Sequence, residues 1–130
     1  MPTTTSHIDT IGLVMIPSTD QDKSIEFYEK ALGFEKRTDV PFGGDYRWVE
    51  VYPPSGTTGI ALAPPREGSD KTSVETGISL RTDDIDAAHA QLCDAGADVD
   101  AEVSRMGDPV PPMFWFRDPD GHTLMVVEQP

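Results

Sequence analysis

The sequence predicts an α+β fold built from two copies of one βαβββ module. The first observation is a faint internal repeat: Asp20 precedes one helical pattern, and Asp84 precedes another about half a chain later. The second is that both patterns end at a glycine, Gly33 and Gly96, the residue that most readily adopts the left-handed conformation after a helix. The third is that apolar and polar residues alternate in the segments after each helix. A duplicated unit accounts for all three.

Apolar segments repeat at the same spacing. Residues 14–16 recur as residues 78–80, and residues 60–62 recur as residues 124–126. The separation is about 64 residues in both cases, close to the separation of the two helix starts. Agreement of four features near one spacing favours duplication over a chance match, and it places a strand at the beginning and at the end of each module.

Two amphipathic helices are predicted. Thr19 or Asp20 is expected to cap the first, because either side-chain oxygen can accept a hydrogen bond from a free backbone N–H. Asp83 or Asp84 is expected to cap the second. The apolar residues that fall on one face at helical spacing are Ile25, Tyr28, Ala31 and Leu32 in the first helix, and Ile85, Ala88, Leu92 and Ala95 in the second.

The other strands complete the two modules. They are predicted at residues 34–37, 46–52 and 59–63 in the first module, and at residues 98–103, 113–117 and 123–128 in the second. In the segment 46–52, Val49 and Val51 point to one side of the sheet, and Trp48 and Glu50 point to the other. The modules span about residues 8–65 and 74–128, joined by a short linker, and together form one domain over residues 1–130.

Composition excludes several classes of protein. The chain has 10 basic and 23 acidic residues and a formal charge of −13, which repels phosphates, so neither nucleic acid nor a membrane is expected as a partner. Its single cysteine excludes an internal disulfide. No apolar run is long enough to span a membrane. The N-terminal residues lack the basic and apolar regions of a signal peptide, so we expect a cytoplasmic protein.

Two groups of motifs carry a family resemblance. The first group is residues 16–24, which run into Phe27-Tyr28 and Leu32-Gly33-Phe34, and the second is residues 82–86 with residues 116–122. The chain resembles the vicinal oxygen chelate superfamily, which includes glyoxalases, fosfomycin and bleomycin resistance proteins and extradiol dioxygenases. It is most similar to the small glyoxalase/bleomycin-resistance-type proteins. The resemblance implies that the paired modules curl into a cup around a ligand and that the protein is a homodimer.

The resemblance also implies where a catalytic metal would bind. The metal-dependent members place His or Glu on the first and last strand of each module. The matching positions are Leu13 (Gly12 if the register shifts by one), Ala61, Gly77 and Met125. None of these side chains is a ligand for a catalytic divalent ion, so we expect no metal and no other cofactor.

The three histidines do not change this expectation. His7 is predicted on a terminal segment, His89 on the second helix next to solvent, and His122 after a hairpin turn. Their spacing fits no metal-binding motif. If the register is wrong, a metal-dependent enzyme remains the alternative.

Strand alternation predicts the residues that line the cup. Because Ala61, Gly77 and Met125 match the chelate positions, they are expected to lie on the floor of the cup. The predicted ligand-contacting residues are Tyr46, Trp48, Tyr52, Ala61, Gly77, Met113, Trp115, Arg117 and Met125. Such a lining suits a flat or apolar ligand, because aromatic faces stack and methionine adapts. The alternative is that the two tryptophans only fill the cup or a dimer interface.

Three further residues could carry chemistry. Glu50 could act as a general acid or base in an apolar cup, or it could pair with Arg47, Arg81 or Arg117. Arg117 could bind an anionic ligand group, or it could pair with Asp118. Cys93 is expected to be a small buried side chain rather than a nucleophile, because no histidine or basic residue is predicted beside it.

These residues leave three functions open. The first, which we favour, is a metal-independent binding protein that holds a drug or metabolite. The second is a glyoxalase-like lyase or isomerase that uses Glu50. The third is a structural or regulatory dimer with a closed cup, in which Trp48 and Trp115 are inaccessible.

Overall fold

A computed structural model describes residues 5–41, 43–65 and 75–129. The first module consists of β1 (Leu13–Pro17), α1 (Gln21–Lys30), β2 (Glu35–Pro41), β3 (Arg47–Tyr52) and β4 (Gly59–Ala63). The second consists of β5 (Glu75–Thr82), α2 (Ile85–Asp94), β6 (Asp98–Val99), β7 (Met113–Arg117) and β8 (Thr123–Glu128). The predicted α+β class and the order of elements are confirmed. The predicted linker falls mostly on residues 66–74, outside the described residues.

Each module forms its own four-stranded mixed sheet. The strand order is β1-β4-β3-β2 in the first, here called sheet A, and β5-β8-β7-β6 in the second, sheet B. In both sheets the first strand pairs parallel with the last strand of its module, and the other pairs are antiparallel. No described helix is long and apolar enough to cross a membrane.

The helix caps follow the repeat. The Asp20 carboxylate accepts a hydrogen bond from the backbone N–H of Lys23 at 3.1 Å, and the Asp84 carboxylate accepts one from Ala87 at 3.0 Å. Each aspartate therefore satisfies a backbone donor that the first turn leaves free. Of the two cap candidates in each module, the structure selects the second, Asp20 and Asp84.

Helix α1 lies between the two sheets. It packs on β3 of its own sheet, and the ring centre of its Phe27 is 6.2 Å from that of Phe116 in β7. The buried side chains of both sheets, among them Val49, Val51 and Phe114, belong to one hydrophobic cluster. Because side chains alternate along a strand, the opposite faces of both sheets point away from this cluster.

A buried polar contact also joins the modules. The Tyr28 hydroxyl donates to the Asp118 carboxylate at 3.1 Å, and both side chains are buried. Burial raises the pKa of Asp118, and burial together with the nearby Asp118 charge raises the pKa of Tyr28. Close by, Nε2 of His122 lies 3.0 Å from the backbone carbonyl oxygen of Pro17, and Thr19 donates to the Asp120 carboxylate. The turn after β7 is thus anchored on the first module.

Three strands differ from the prediction. β2 continues to Pro41, whereas the prediction ended at residue 37. β6 ends at Val99, whereas the prediction continued to residue 103, although the Asp100 N–H still donates to the Trp115 carbonyl oxygen and Ser104 forms an isolated bridge with Met113. In β5, Gly77 has φ of +72°, and the pairing with β8 is irregular between Glu75 and Ser79. A glycine permits this interruption because a side chain at that φ is strained.

Candidate functional site

The outward side of sheet A carries a hydrogen-bonded aromatic group. Trp48, Glu50 and Tyr52 alternate with the buried Val49 and Val51 along β3, as predicted. The Trp48 indole N–H donates to Glu50 Oε2 at 2.6 Å, and the Tyr52 hydroxyl donates to Glu50 Oε1 at 2.7 Å. The hydrogen bond to Glu50 raises the pKa of Tyr52. We call these three residues and Ala61, which pairs with Glu50 in the neighbouring strand, the A face.

Tyr52 is held from two further directions. The Arg37 guanidinium lies 4.5 Å from the centre of its ring, a cation–π distance. Arg37 is itself fixed by the carbonyl oxygens of Pro53, Pro54 and Gly56 in the hairpin turn. On the β4 side, a Cβ added to Gly59 would lie 2.6 Å from the ring. Glycine at position 59 therefore makes room for the tyrosine.

The outward side of sheet B carries the second set of predicted residues. Met113, Trp115 and Arg117 are half-buried and alternate with the buried Phe114 and Phe116. Met125 pairs with Trp115 in β8. We call Met113, Trp115, Arg117 and Met125 the B face. Both tryptophans are half-buried, so neither is enclosed within one chain.

The predicted residues form two groups rather than one. The A face and the B face both point away from the shared core, so one chain presents two separate outward faces. Two predicted residues lie at their margins. Tyr46 precedes β3 and is 56% exposed, and Gly77 is exposed in the irregular part of β5.

Comparison with known proteins identifies this architecture. The sequence pattern of the glyoxalase/bleomycin resistance protein/dioxygenase superfamily matches residues 10–126. The chain belongs to that superfamily. A solved member from Sphaerobacter thermophilus DSM 20745 is 35% identical, with a TM-score of 0.83, over 94% of this chain and 98% of the other. TnmS3, an antibiotic binding protein from Streptomyces sp. CB03234, is 29% identical, with a TM-score of 0.81, over 97% and 100%.

A curated relative extends the comparison to another organism. YetH, an uncharacterized protein of Bacillus subtilis (strain 168), is 26% identical over 126 residues, which are 93% of this chain and 99% of YetH. The match spans both modules of this superfamily member. The fold and the family are therefore set by nearly the whole chain rather than by one motif.

The assignment of four residues to the chelate positions stays a prediction that rests on the family resemblance. Leu13, Ala61, Gly77 and Met125 offer hydrocarbon, a glycine and a thioether, which do not suit a catalytic zinc, nickel or manganese ion. A different group, Asp118, Asp120 and His122, has ligand atoms within 4.8 Å of one another. Its atoms already bind Tyr28, Thr19 and Pro17, as described above. That group joins the two modules and lies apart from both outward faces.

Arg117 and Glu50 have partners that differ from the ones predicted from the sequence. Arg117 pairs with Asp98 and Asp100, both at 2.8 Å, and not with Asp118. The hydrogen bond from Arg117 lowers the pKa of Asp98. The Glu50 oxygens accept from two neutral donors, and Arg47 pairs instead with Asp22 and Asp39.

The surroundings of Cys93 correct two expectations. Cys93 is exposed, not buried, and its sulfur lies 3.8 Å from Nδ1 of His89. His89 is half-buried rather than beside solvent, because its ring packs edge-on against Phe114, with 5.0 Å between centres. Its Nε2 lies 2.7 Å from the Asp100 carbonyl oxygen, which can only accept, so Nε2 donates. His89 and Cys93 are four residues apart on α2, and this helical spacing would have indicated from the sequence that their side chains are neighbours.

A cavity that the sequence did not indicate lies between the modules. It has a volume of about 640 Å³ and is lined by parts of β1, β4 and β5 and by the turn before β4. Its apolar wall includes Val14, Phe34, Ile60, Ile78 and Leu80. Gly77 is the one predicted contact residue in this lining. Gly59, against which the Tyr52 ring packs, also belongs to the cavity wall, so the cavity lies next to the A face.

Proposed function

We propose that the protein is a metal-independent binding protein that holds an apolar or aromatic small molecule against its A and B faces. The observation that carries the proposal is the combination of non-ligating side chains at the chelate positions with half-exposed tryptophans on both outward faces. A face of this kind binds by stacking and by burial of apolar surface, neither of which needs a metal.

The shape of the faces favours a flat ligand. Trp48 and Trp115 offer extended aromatic surfaces, and Met113 and Met125 offer flexible thioether side chains that adapt to irregular shapes. Gly77 leaves room where related enzymes place a metal-binding side chain, whereas Ala61, at another such position, is completely buried beneath the A face. TnmS3, a structural relative described as an antibiotic binding protein, supports a drug-like ligand for this chain as well.

The proposal includes a homodimer in which the A face of one copy and the B face of its partner enclose the ligand. The support for the dimer is that both faces point outward, so neither face is enclosed within a single chain. β1 and β5 are sheet edges with backbone groups available for pairing. Met15, on the outward side of β1, is 53% exposed, and burial of such a side chain in a dimer is favourable.

The test is a binding titration followed by intrinsic tryptophan fluorescence. Acridine serves as the planar probe and 1-adamantanol as a compact, non-planar one, each with the protein in EDTA and after loading with zinc, nickel, manganese or iron(II) and desalting. Sedimentation velocity on the same samples gives the oligomeric state. We expect a dimer that binds the planar probe equally well with and without EDTA, with substoichiometric retained metal.

Other outcomes assign other functions. One retained metal per cup, together with loss of binding in EDTA, would contradict the proposal and favour a metal-dependent enzyme. Turnover of an α-keto aldehyde conjugate that disappears in Glu50→Gln would favour the lyase or isomerase. Tryptophans that neither probe nor acrylamide quenches would favour a closed structural dimer. The cytoplasmic location stays a prediction.

A further inference from the structure

We propose that Glu50 is a positioning residue, which fixes the Trp48 and Tyr52 rings as a preformed surface and so makes the A face selective for flat ligands. This inference rests on the proposed function and deepens it. It assigns Glu50 a role other than the acid or base that its position in the cup first suggested.

The first step is the geometry of the carboxylate. Each Glu50 oxygen accepts one aromatic donor, with Trp48 at 2.6 Å and Tyr52 at 2.7 Å. Residues two apart on a strand have their side chains on the same side, roughly 7 Å from one another. A glutamate between two aromatic residues can therefore reach both rings at once. The two donors on opposite oxygens fix the orientation of the carboxylate relative to both rings.

The second step is that one end of the group is anchored. Tyr52 is held between the Arg37 guanidinium and the backbone at Gly59, and Arg37 is held by three carbonyl oxygens of the hairpin turn. Position is therefore transmitted from the turn through Arg37, Tyr52 and Glu50 to Trp48. The Trp48 indole is half-buried, and its N–H is fixed by the Glu50 carboxylate.

The third step is the consequence for binding. A ring that is already in its bound orientation loses less conformational freedom when a ligand stacks on it. A planar ligand gains from this order because stacking requires parallel faces, whereas a compact apolar ligand gains little. The group should therefore affect discrimination between the two shapes more than overall affinity.

The experiment compares Glu50→Ala and Glu50→Gln. Glutamine keeps one acceptor for the Trp48 N–H and can donate to the Tyr52 oxygen, so it preserves the arrangement while abolishing acid–base chemistry. Glu29→Ala, on the exposed side of α1, is the control for the loss of one negative charge. We expect Glu50→Ala to weaken acridine binding on the order of tenfold with little change for 1-adamantanol, and Glu50→Gln to stay within about twofold.

A second readout needs no ligand. The chain has two tryptophans, so Trp115→Phe leaves Trp48 as the single fluorophore. In that background, time-resolved anisotropy should show faster local motion of Trp48 in Glu50→Ala, and unchanged motion in Glu50→Gln and Glu29→Ala. Thermal melts followed by circular dichroism confirm that each variant is folded, and Glu50→Gln keeps the test possible if the alanine variant is not.

The outcomes separate the two proposals. Unchanged Trp48 motion in Glu50→Ala overturns the positioning role, even if the wild-type protein binds acridine. Increased motion without any binding of a planar probe supports the positioning of the ring and contradicts the binding function. Equal loss of acridine binding in Glu50→Ala and Glu50→Gln would mean that the charge itself contacts the ligand, and would also overturn the proposal.

Discussion

The A face and the B face occupy matching places in the two modules but are built differently. Glu50 pairs with Ala61 in β4, and Trp115 pairs with Met125 in the corresponding place in β8. At the end of the strand, Tyr52 lies against Arg37 of β2, whereas Arg117 forms ion pairs with Asp98 of β6 and with Asp100. In both sheets the end of a central strand is bound to the neighbouring edge strand, through an aromatic ring in sheet A and through ion pairs in sheet B.

The buried sides of the two sheets differ less. Val49 and Val51 of β3 correspond to Phe114 and Phe116 of β7, and all four are completely or almost completely buried. The helix caps are nearly identical in backbone geometry, with φ and ψ of −142° and 95° at Asp20 and −143° and 93° at Asp84. The difference teaches that a duplicated unit retains what folding requires, while its outward faces are free to diverge.

The largest effect is expected in the shared core. Phe116→Ala should lower the free energy of unfolding by roughly 3–5 kcal/mol, because it leaves a cavity where Phe27 of α1 contacts sheet B. Val51→Ala, at the matching place in sheet A, should cost about 2 kcal/mol, because it removes two methyl groups rather than a whole aromatic ring. Urea denaturation measures both. Equal costs would show that α1 does not depend on sheet B for its packing.

The next effect concerns the contact between the modules. Tyr28→Phe removes the donor to the buried Asp118 carboxylate and should cost about 1.5–3 kcal/mol near neutral pH. Loss of this donor raises the pKa of Asp118 beyond its already elevated level, so the cost should shrink as the pH falls and Asp118 becomes protonated in the folded state. Tyr46→Phe, on an exposed tyrosine, is the matched control and should change stability by less than about 0.5 kcal/mol. A pH-independent cost would contradict this account.

A third prediction tests how tightly the A face is built. Gly59→Ala places a Cβ against the Tyr52 ring and should cost about 1–3 kcal/mol through overpacking. It should also weaken acridine binding by displacing the tyrosine. In Gly12→Ala the new Cβ meets no atom within 4 Å, so that variant is the control and should be neutral in thermal denaturation. Similar melting temperatures for the two variants would show that the ring has room to move.

The smallest effect is expected at the ion pairs of Arg117, which occupy the place that the cation–π contact occupies in sheet A. Arg117→Gln should destabilise the protein by less than about 1 kcal/mol, because its partners are largely exposed. The lowered pKa of Asp98 means that the ion pair stabilises the fold above the ordinary pKa of an aspartate and that this stabilisation is lost as the pH falls through the lowered value. Thermal melts at several pH values should therefore show the variant and the wild type converging in acid. A constant difference down to the lowest pH would contradict the ion-pair account.

Much of the fold could be predicted from local sequence. The bounds of β4, β7 and β8 match the predicted segments, because each is a short apolar or alternating run between turn residues. β6 was predicted too long, since regular pairing with β7 depends on a strand far along the chain and stops after Val99. Alternation also assigned Trp48, Glu50 and Tyr52 to one side of β3 correctly.

The contacts of the candidate site were less predictable. Side-chain partners such as Asp98 for Arg117, or His89 for Cys93, depend on how an element is rotated against its neighbours. Period-2 alternation gives the face of a strand and not the distance between side chains. The two hydrogen bonds that Glu50 accepts were accessible only once the rings were placed.

The sequence by itself determined the duplicated modules and the position of each helix cap to within one residue, because these depend on residue type and on spacing along one chain. Only the tertiary structure decided that α1 lies between the sheets, that the A and B faces point outward, and that Glu50 binds two aromatic rings. The physical reason is that burial and hydrogen bonding between distant residues depend on how whole elements pack, and local periodicity carries no information about that packing.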